Sequence, residues 1–214
     1  MSKLCYSYIT NHPTPPIITR RDIDKEPTMT DHSLTPEALA DLARPDYGFE
    51  HDHDSLWSEL APGLWMGGTA DKDDIRFEAC MPTITPAHFD TVVTLCAWAG
   101  PVDWYVKEIR LGFFDHSEVD LDHHDLAQAV LAAHQDWMRG KRVLIRCQAG
   151  WNRSGLVSAL VLMLNGESVE DAIALLRDNR SPYALCNPDF VDWLHAEGPG
   201  FIARISNQPS LMAA

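Results

Sequence analysis

Hydrophobic and polar positions follow two regimes along the chain. From residue 1 to about 50 there is no sustained period, only scattered charges and prolines at 13, 15, 16, 27, 36 and 45, which reads as a flexible N-terminal segment. Within it, "MTDHSLTPEALADLA" opens at Met29 with a plausible cap and helix, so translation starting at Met29 is an alternative to Met1. From about residue 51 to 200 the pattern becomes that of a packed domain, with 201–214 as a C-terminal tail. "GLWMGG" reads as a short strand ended by glycines, and "TVVTLC" (Thr91 to Cys96) is β-branched and apolar, a buried strand. "WYVKEIRL" (Trp104 to Leu111) and "RVLI" (Arg142 to Ile145) are two more strands. Leu126, Ala129, Val130, Ala133 and Trp137 fall at helical spacing, and "SGLVSALVLML" is apolar almost all round, as a helix inside a domain must be. Ser168 and Asp171 have capping-box spacing ahead of "AIALLRD". Asn187 and Pro188 pair as N-cap and first helical residue of a last helix, which Gly198 ends. Strands alternating with helices predict an α/β fold with a central, mostly parallel sheet flanked by helices.

Composition narrows the setting. Of 214 residues, 45% are hydrophobic, enough for a core, yet the longest apolar run, "ALVLML", is six residues, far short of a membrane span. No signal-peptide order opens the chain. Its five cysteines have irregular spacings, which points to a reducing cytoplasm and to chemistry rather than a disulfide framework for any special cysteine. With 31 acids against 17 bases the formal charge is −14, which repels nucleic acid and anionic lipid at long range. The densest basic cluster, "GKRVLIR" (Gly140 to Arg146), reads as a loop entering a strand. "HDHD" (His51 to Asp54) contains metal-ligand residue types but reads as a solvated cluster beside a domain boundary.

The candidate chemistry lies in "RCQAGWNRSG" (Arg146 to Gly155), where a strand meets a glycine-containing loop and an apolar helix. The first N–H groups of a helix are unpaired and carry positive partial charge, so they bind phosphate and favour a thiolate. Gly150 lets the backbone turn its N–H groups inward, and Arg153 adds a planar fork for two phosphate oxygens. Cys147 at the base of this cradle reads as a nucleophile forming a phosphocysteine, and Ser154 as a hydrogen-bond donor that eases the sulfur's departure. Gln148, Ala149, Gly150, Trp151, Asn152 and Arg153 form the substrate-binding loop. Cys147, Gly150, Arg153, Ser154 and Gly155 at these spacings arise by chance in on the order of one such chain in ten thousand.

These residues resemble the cysteine-dependent protein tyrosine phosphatase superfamily, most closely its compact dual-specificity branch. The resemblance covers roughly residues 60 to 196: "CQAG" and "RSG" match the loop, "ELAPGLWMGG" its opening strand, and "SVEDAIALLRDNRS" and "NPDFVDWL" its closing helices. It implies a phosphatase acting on phosphotyrosine and/or phosphoserine/threonine in proteins, without metal or organic cofactor. A leaving alkoxide or phenolate needs a proton. The family takes it from an aspartate about thirty residues before the cysteine, and in "LGFFDHSEVDLDHHD" Asp115 fits that position better than Glu118 or Asp120. Asp122 and Asp125 belong to the start of the next helix, where acids favour the dipole. His116 is a candidate for positioning substrate. The expected partner is a phosphorylated protein or peptide, with no nucleic acid and no membrane, and the protein is expected to be a monomer.

Arg146 departs from the family, which usually has histidine before the nucleophile. A guanidinium there either points toward the loop and favours the thiolate, or points away, since alternate strand residues face opposite sides. It is the main support for a pseudophosphatase reading. "LCA" (Leu95 to Ala97) and "DH" (Asp115-His116) resemble the phosphoinositide phosphatases, but the lysines of their loops are replaced by Gln148 and Trp151. "NRSG" resembles the RNA 5′-triphosphatases, which normally need basic surface that this chain offers little of. Cys96, at a strand's C-terminal end, reads either as a small buried hydrophobe or as the resolving thiol for an oxidised Cys147, for which it is placed better than the other cysteines.

Overall fold

The computed structural model describes residues 56–69, 84–116 and 122–207. Five strands form one sheet: β1 (Trp57–Ala61), β2 (Leu64–Gly67), β3 (Thr91–Thr94), β4 (Lys107–Arg110) and β5 (Val143–Arg146). Their order is β1-β2-β5-β3-β4; β1 and β2 are an antiparallel hairpin and every other pairing is parallel. The mostly parallel α/β sheet expected from the sequence is therefore observed. The four parallel strands deliver their C-terminal ends to one edge, where Gly67, Leu95, Leu111 and Cys147 end or follow them, and that edge is where a ligand crevice forms in such sheets.

Five helices follow: α1 (His123–Met138), α2 (Arg153–Leu164), α3 (Val169–Asn179), α4 (Pro188–Ala196) and α5 (Gly198–Ser206). Ten of the twelve residues of α2 are buried, and α1, α3, α4 and α5 all pack against it. Side-chain alternation divides the core. Val93, Val143 and Ile145 join the helices' apolar residues in the larger cluster, whereas Val92 and Leu144 face the other way, onto Ile84, Phe89 and Val106.

Caps were well encoded. The Asp122 carboxylate accepts from the N–H groups of His124 and Asp125 and starts α1, as expected of a first-turn acid. Ser168 accepts from Asp171 N–H ahead of α3, and Asn187 accepts from Asp189 N–H ahead of α4. Four boundaries differ. β3 ends at Thr94, so Leu95 and Cys96 follow the strand and do not belong to it. β4 begins at Lys107 because an Asx turn at Asp103 (Tyr105 N–H to Oδ1, 3.0 Å) leaves Trp104 99% exposed and Tyr105 exposed as well, overriding their β propensity. β5 is shifted one residue onward, since Arg142 is spent on Asp90 and on the carbonyls of Pro86 and Ala87. Gly198 does not end the packed chain: Pro199 follows it at the start of α5, and Phe201 and Ile205 are buried in the core, past residue 200 where the tail was expected. No helix among the described residues is long and apolar enough to cross a membrane.

At the sheet edge opposite the crevice, Asp136 on α1 is 1% exposed and gathers Thr91 Oγ1 (2.8 Å), Lys107 Nζ (3.0 Å) and Lys141 Nζ (2.8 Å). Burial raises its pKa, but these donors outweigh burial and hold the carboxyl at about 2, below its ordinary 3.8. A depressed carboxyl stabilises the fold above its unfolded value and loses that contribution as pH falls through the folded one. Asp136→Asn should therefore cost about 2 kcal/mol at pH 7 in urea unfolding. The gap to wild type should stay constant from neutral pH to about 5 and narrow below the ordinary 3.8 toward 2.

Candidate active site

The chain between β5 and α2 is held inside out. The Gln148 carbonyl accepts from Thr69 N–H (3.1 Å), that of Trp151 from Leu185 N–H (3.2 Å), and that of Asn152 from Leu156 N–H (2.8 Å). The Gly150 carbonyl accepts from Arg180 Nε at 3.2 Å. The peptides are trans and planar, so a carbonyl drawn outward turns the following N–H the other way. The N–H groups of Ala149, Trp151, Asn152 and Arg153 thus face the enclosed side. Gly150 N–H also turns inward, to Cys147 Sγ at 3.2 Å.

Gly150 has φ +76°, and a Cβ there would lie 2.4 Å from the carbonyl carbon of Gly67. A side chain at 150 would be strained and would strike the β2 backbone together. Gly155 matters for a different reason: a Cβ would meet the Leu185 side chain at 2.9 Å. Leu185 itself has φ 56°, left-handed for a branched residue, while its N–H ties the following loop to Trp151.

Cys147 is 2% exposed, and its sulfur has Ser154 Oγ at 3.3 Å besides Gly150 N–H. Both are placed to donate to a negatively charged sulfur. Arg153 Nη1 is anchored on the carbonyls of Leu95 (3.3 Å) and Phe113 (3.4 Å), but Arg153 Nε is buried with no hydrogen-bond partner. A buried N–H left unpaired costs about 1–3 kcal/mol, a deficit that an oxyanion in the loop removes. Asn152 stands at the N-cap position of α2 yet makes no cap hydrogen bond, so the helix start keeps its free N–H groups.

The Asn152 amide goes instead to the acid loop, donating from Nδ2 to Asp115 Oδ2 at 3.1 Å. Asn187 Nδ2 donates to Asp115 Oδ1 (2.9 Å) and to the His116 carbonyl (3.3 Å), so His116 enters this contact through its backbone. Asp115 is exposed and adjoins the loop; Glu118 and Asp120 lie outside the described residues, as do residues 1–55, with Met29 and "HDHD". Beside the loop lie Phe114 and Tyr183, both exposed, and Trp151, whose ring lies 5.9 Å from that of Tyr183. Gln148 and Ala149 are exposed loop residues.

Two arginines have roles that the sequence did not reveal. Arg180 is 5% exposed, behind the loop, with Nη1 on Ser58 Oγ (3.3 Å) as well as Nε on Gly150. Burial lowers its pKa, outweighing an opposing interaction with Cys147. Only its place at the end of an amphipathic helix could have flagged it. Arg146 points away from the nucleophile: it shares a sheet face with Leu144, whereas Cys147 joins the larger cluster with Ile145. Its guanidinium bonds Thr94 Oγ1 (3.0 Å), the Gly100 carbonyl (2.7 Å) and Glu108 Oε1 (3.4 Å). Arg110 reaches the other Glu108 oxygen and the carbonyls of Ala99 and Gly100, so two cations fix the segment after Leu95. Cys96 is buried in that segment, and Cys96, Cys147 and Cys186 are free thiols.

No protein-family model matches the chain, and no curated protein does either. Solved structures do. A mouse putative dual specificity phosphatase complexed with zinc tungstate superposes with TM-score 0.58 at 22% identity, over 74% of this chain and 96% of that one. Human DUSP28 gives 0.55 at 22% identity, over 72% and 97%. The human tyrosine phosphatase-like serine/threonine/tyrosine-interacting protein gives 0.53 at 18%, over 68% and 97%. The chain therefore has the dual-specificity phosphatase fold.

Gly150→Ala should weaken orthovanadate binding at least about tenfold, because the inward N–H groups lose their arrangement. Titration followed by tryptophan fluorescence checks this; an unchanged Kd would contradict the geometry of the loop.

Proposed function

We propose that the protein hydrolyses phosphomonoesters, foremost phosphotyrosine and/or phosphoserine/threonine in proteins, through a phosphocysteine at Cys147. The observation that carries this reading is the buried, unpartnered Arg153 Nε beside a loop whose N–H groups face inward. This is an anion site built around a sulfur. In the first step Cys147 Sγ attacks phosphorus, the bond to the ester oxygen breaks, and Asp115 gives that oxygen a proton. Arg153 and the loop N–H groups hold the three remaining phosphoryl oxygens as their charge spreads. In the second step water attacks phosphorus, Asp115 takes its proton, and the S–P bond breaks while Ser154 donates to the departing sulfur. Ester and water become alcohol and inorganic phosphate, and neither metal nor organic cofactor takes part.

Support for a protein substrate comes from the rim. Gln148 and Trp151 are neutral, and exposed Phe114 and Tyr183 offer flat apolar surface to the residues flanking a phosphoamino acid. A polyphosphate end or an inositol ring with several phosphates would meet little additional cation there. We assign the protein to a reducing cytoplasm, where Cys147 stays a thiol, and treat it as a monomer. A second reading, a pseudophosphatase that binds phosphate without turnover, is favoured by Arg146 pointing away from the loop.

A chromogenic aryl phosphate assay separates the two. The wild type should turn over with or without a chelator, and Cys147→Ser should lose activity by more than about a thousandfold while still binding vanadate. A wild type that binds vanadate but hydrolyses nothing would establish the binding module instead.

A further inference from the structure

The two asparagines that hold Asp115 are oriented by backbone groups, not by the acid. Asn187 Oδ1 accepts from Asp189 N–H at 3.1 Å and caps α4. With the oxygen committed to the cap, Nδ2 must face the acid loop, and it donates both to Asp115 Oδ1 and to the His116 carbonyl. Asn187 N–H in turn donates to Asn152 Oδ1 at 3.0 Å. That commits the Asn152 oxygen and aims its Nδ2 at Asp115 Oδ2. Each carboxylate oxygen of an exposed loop residue therefore receives one amide donor, one from the start of α4 and one from the cysteine loop.

We propose that Asn187 is a positioning residue for proton transfer: its amide oxygen caps α4 while its amide nitrogen holds Asp115 beside the cysteine loop. This rests on the reading of Asp115 as the proton donor to the leaving group. The capping role alone would be met equally by aspartate or serine, which rank with asparagine at N-caps. Only asparagine both caps and donates. Aspartate at 187 would set a second carboxylate against Asp115, and serine would lack the donor reaching it. An acid on an exposed loop delivers its proton only when it is in place, so loss of the clamp should appear where protonation of the leaving group limits the rate.

The test uses the full chain and a series of aryl phosphates whose phenols range from strongly to weakly acidic. Asn187→Ser should lose about tenfold in kcat/KM on the weakly acidic phenols and stay within about twofold on the most acidic ones, the same leaving-group signature as Asp115→Asn in milder form. Asn187→Asp should lose more on the weakly acidic phenols. Vanadate affinity and the thermal midpoint of Asn187→Ser should stay near wild type, since cap and anion loop are retained. A loss of equal size across the series, or activity within about twofold of wild type on the weakly acidic phenols, overturns the proposal while leaving the phosphatase reading intact. A wild type with no turnover on any aryl phosphate overturns the phosphatase reading and the proposal with it. That outcome is recognised because it appears in the unsubstituted protein.

Discussion

The site depends on four carbonyls being kept out of it. If those of Gln148, Gly150, Trp151 and Asn152 were not claimed by Thr69, Arg180, Leu185 and Leu156, the loop would present acceptors and donors mixed, and an anion would meet as much repulsion as attraction. Each anchor belongs to a different part of the fold: the end of β2, the end of α3, the strained turn before α4, and the first turn of α2. The cradle is therefore a product of the whole packing arrangement, and the ten buried residues of α2 hold those parts in register. Gly150 is the local condition, because only a residue without Cβ lets the loop lie against Gly67.

Cations are used in two separate ways around this loop. Arg153, which our reading turns toward a ligand, has a buried Nε that no group of the fold accepts from. Arg146, Arg110 and Arg180 face the scaffold instead. Arg146 is almost wholly buried, and its guanidinium meets Glu108, Thr94 and a carbonyl, so its charge is compensated and its donors are used. Such a buried ionic cluster adds little net stability compared with apolar residues of the same shape, but it leaves few alternative geometries for the segment it ties. That segment includes Leu95, whose carbonyl anchors Arg153. Arg146 thus supports the site from the far side of the sheet, through the segment that carries Leu95.

Much of this was legible in the sequence where one residue type has one physical use. The buried helix, the caps at Ser168 and Asn187, and the cysteine, glycine and arginine of the loop follow from spacing and side-chain chemistry alone. Parity along β5 was legible too, but which parity Arg146 took depended on the register with β3, a long-range pairing that local patterning does not contain. Trp104 and Tyr105 look like strand residues and lie in a turn because Asp103 competes for the backbone. Arg180 and the amide nitrogen of Asn187 act across 30 and 72 positions of sequence respectively, so their partners emerge only once the fold brings them together.

The central claim is that Cys147 itself carries the phosphoryl group between the two steps. Acid quenching of the full-length protein mixed with an aryl phosphate, followed by peptide mass spectrometry, tests it directly. The account predicts a phosphoryl adduct on Cys147 that accumulates in Asp115→Asn with a very acidic phenol as leaving group, since hydrolysis of the intermediate then lacks its base. Turnover with no adduct on Cys147 in either protein, or an adduct on another residue, would contradict it.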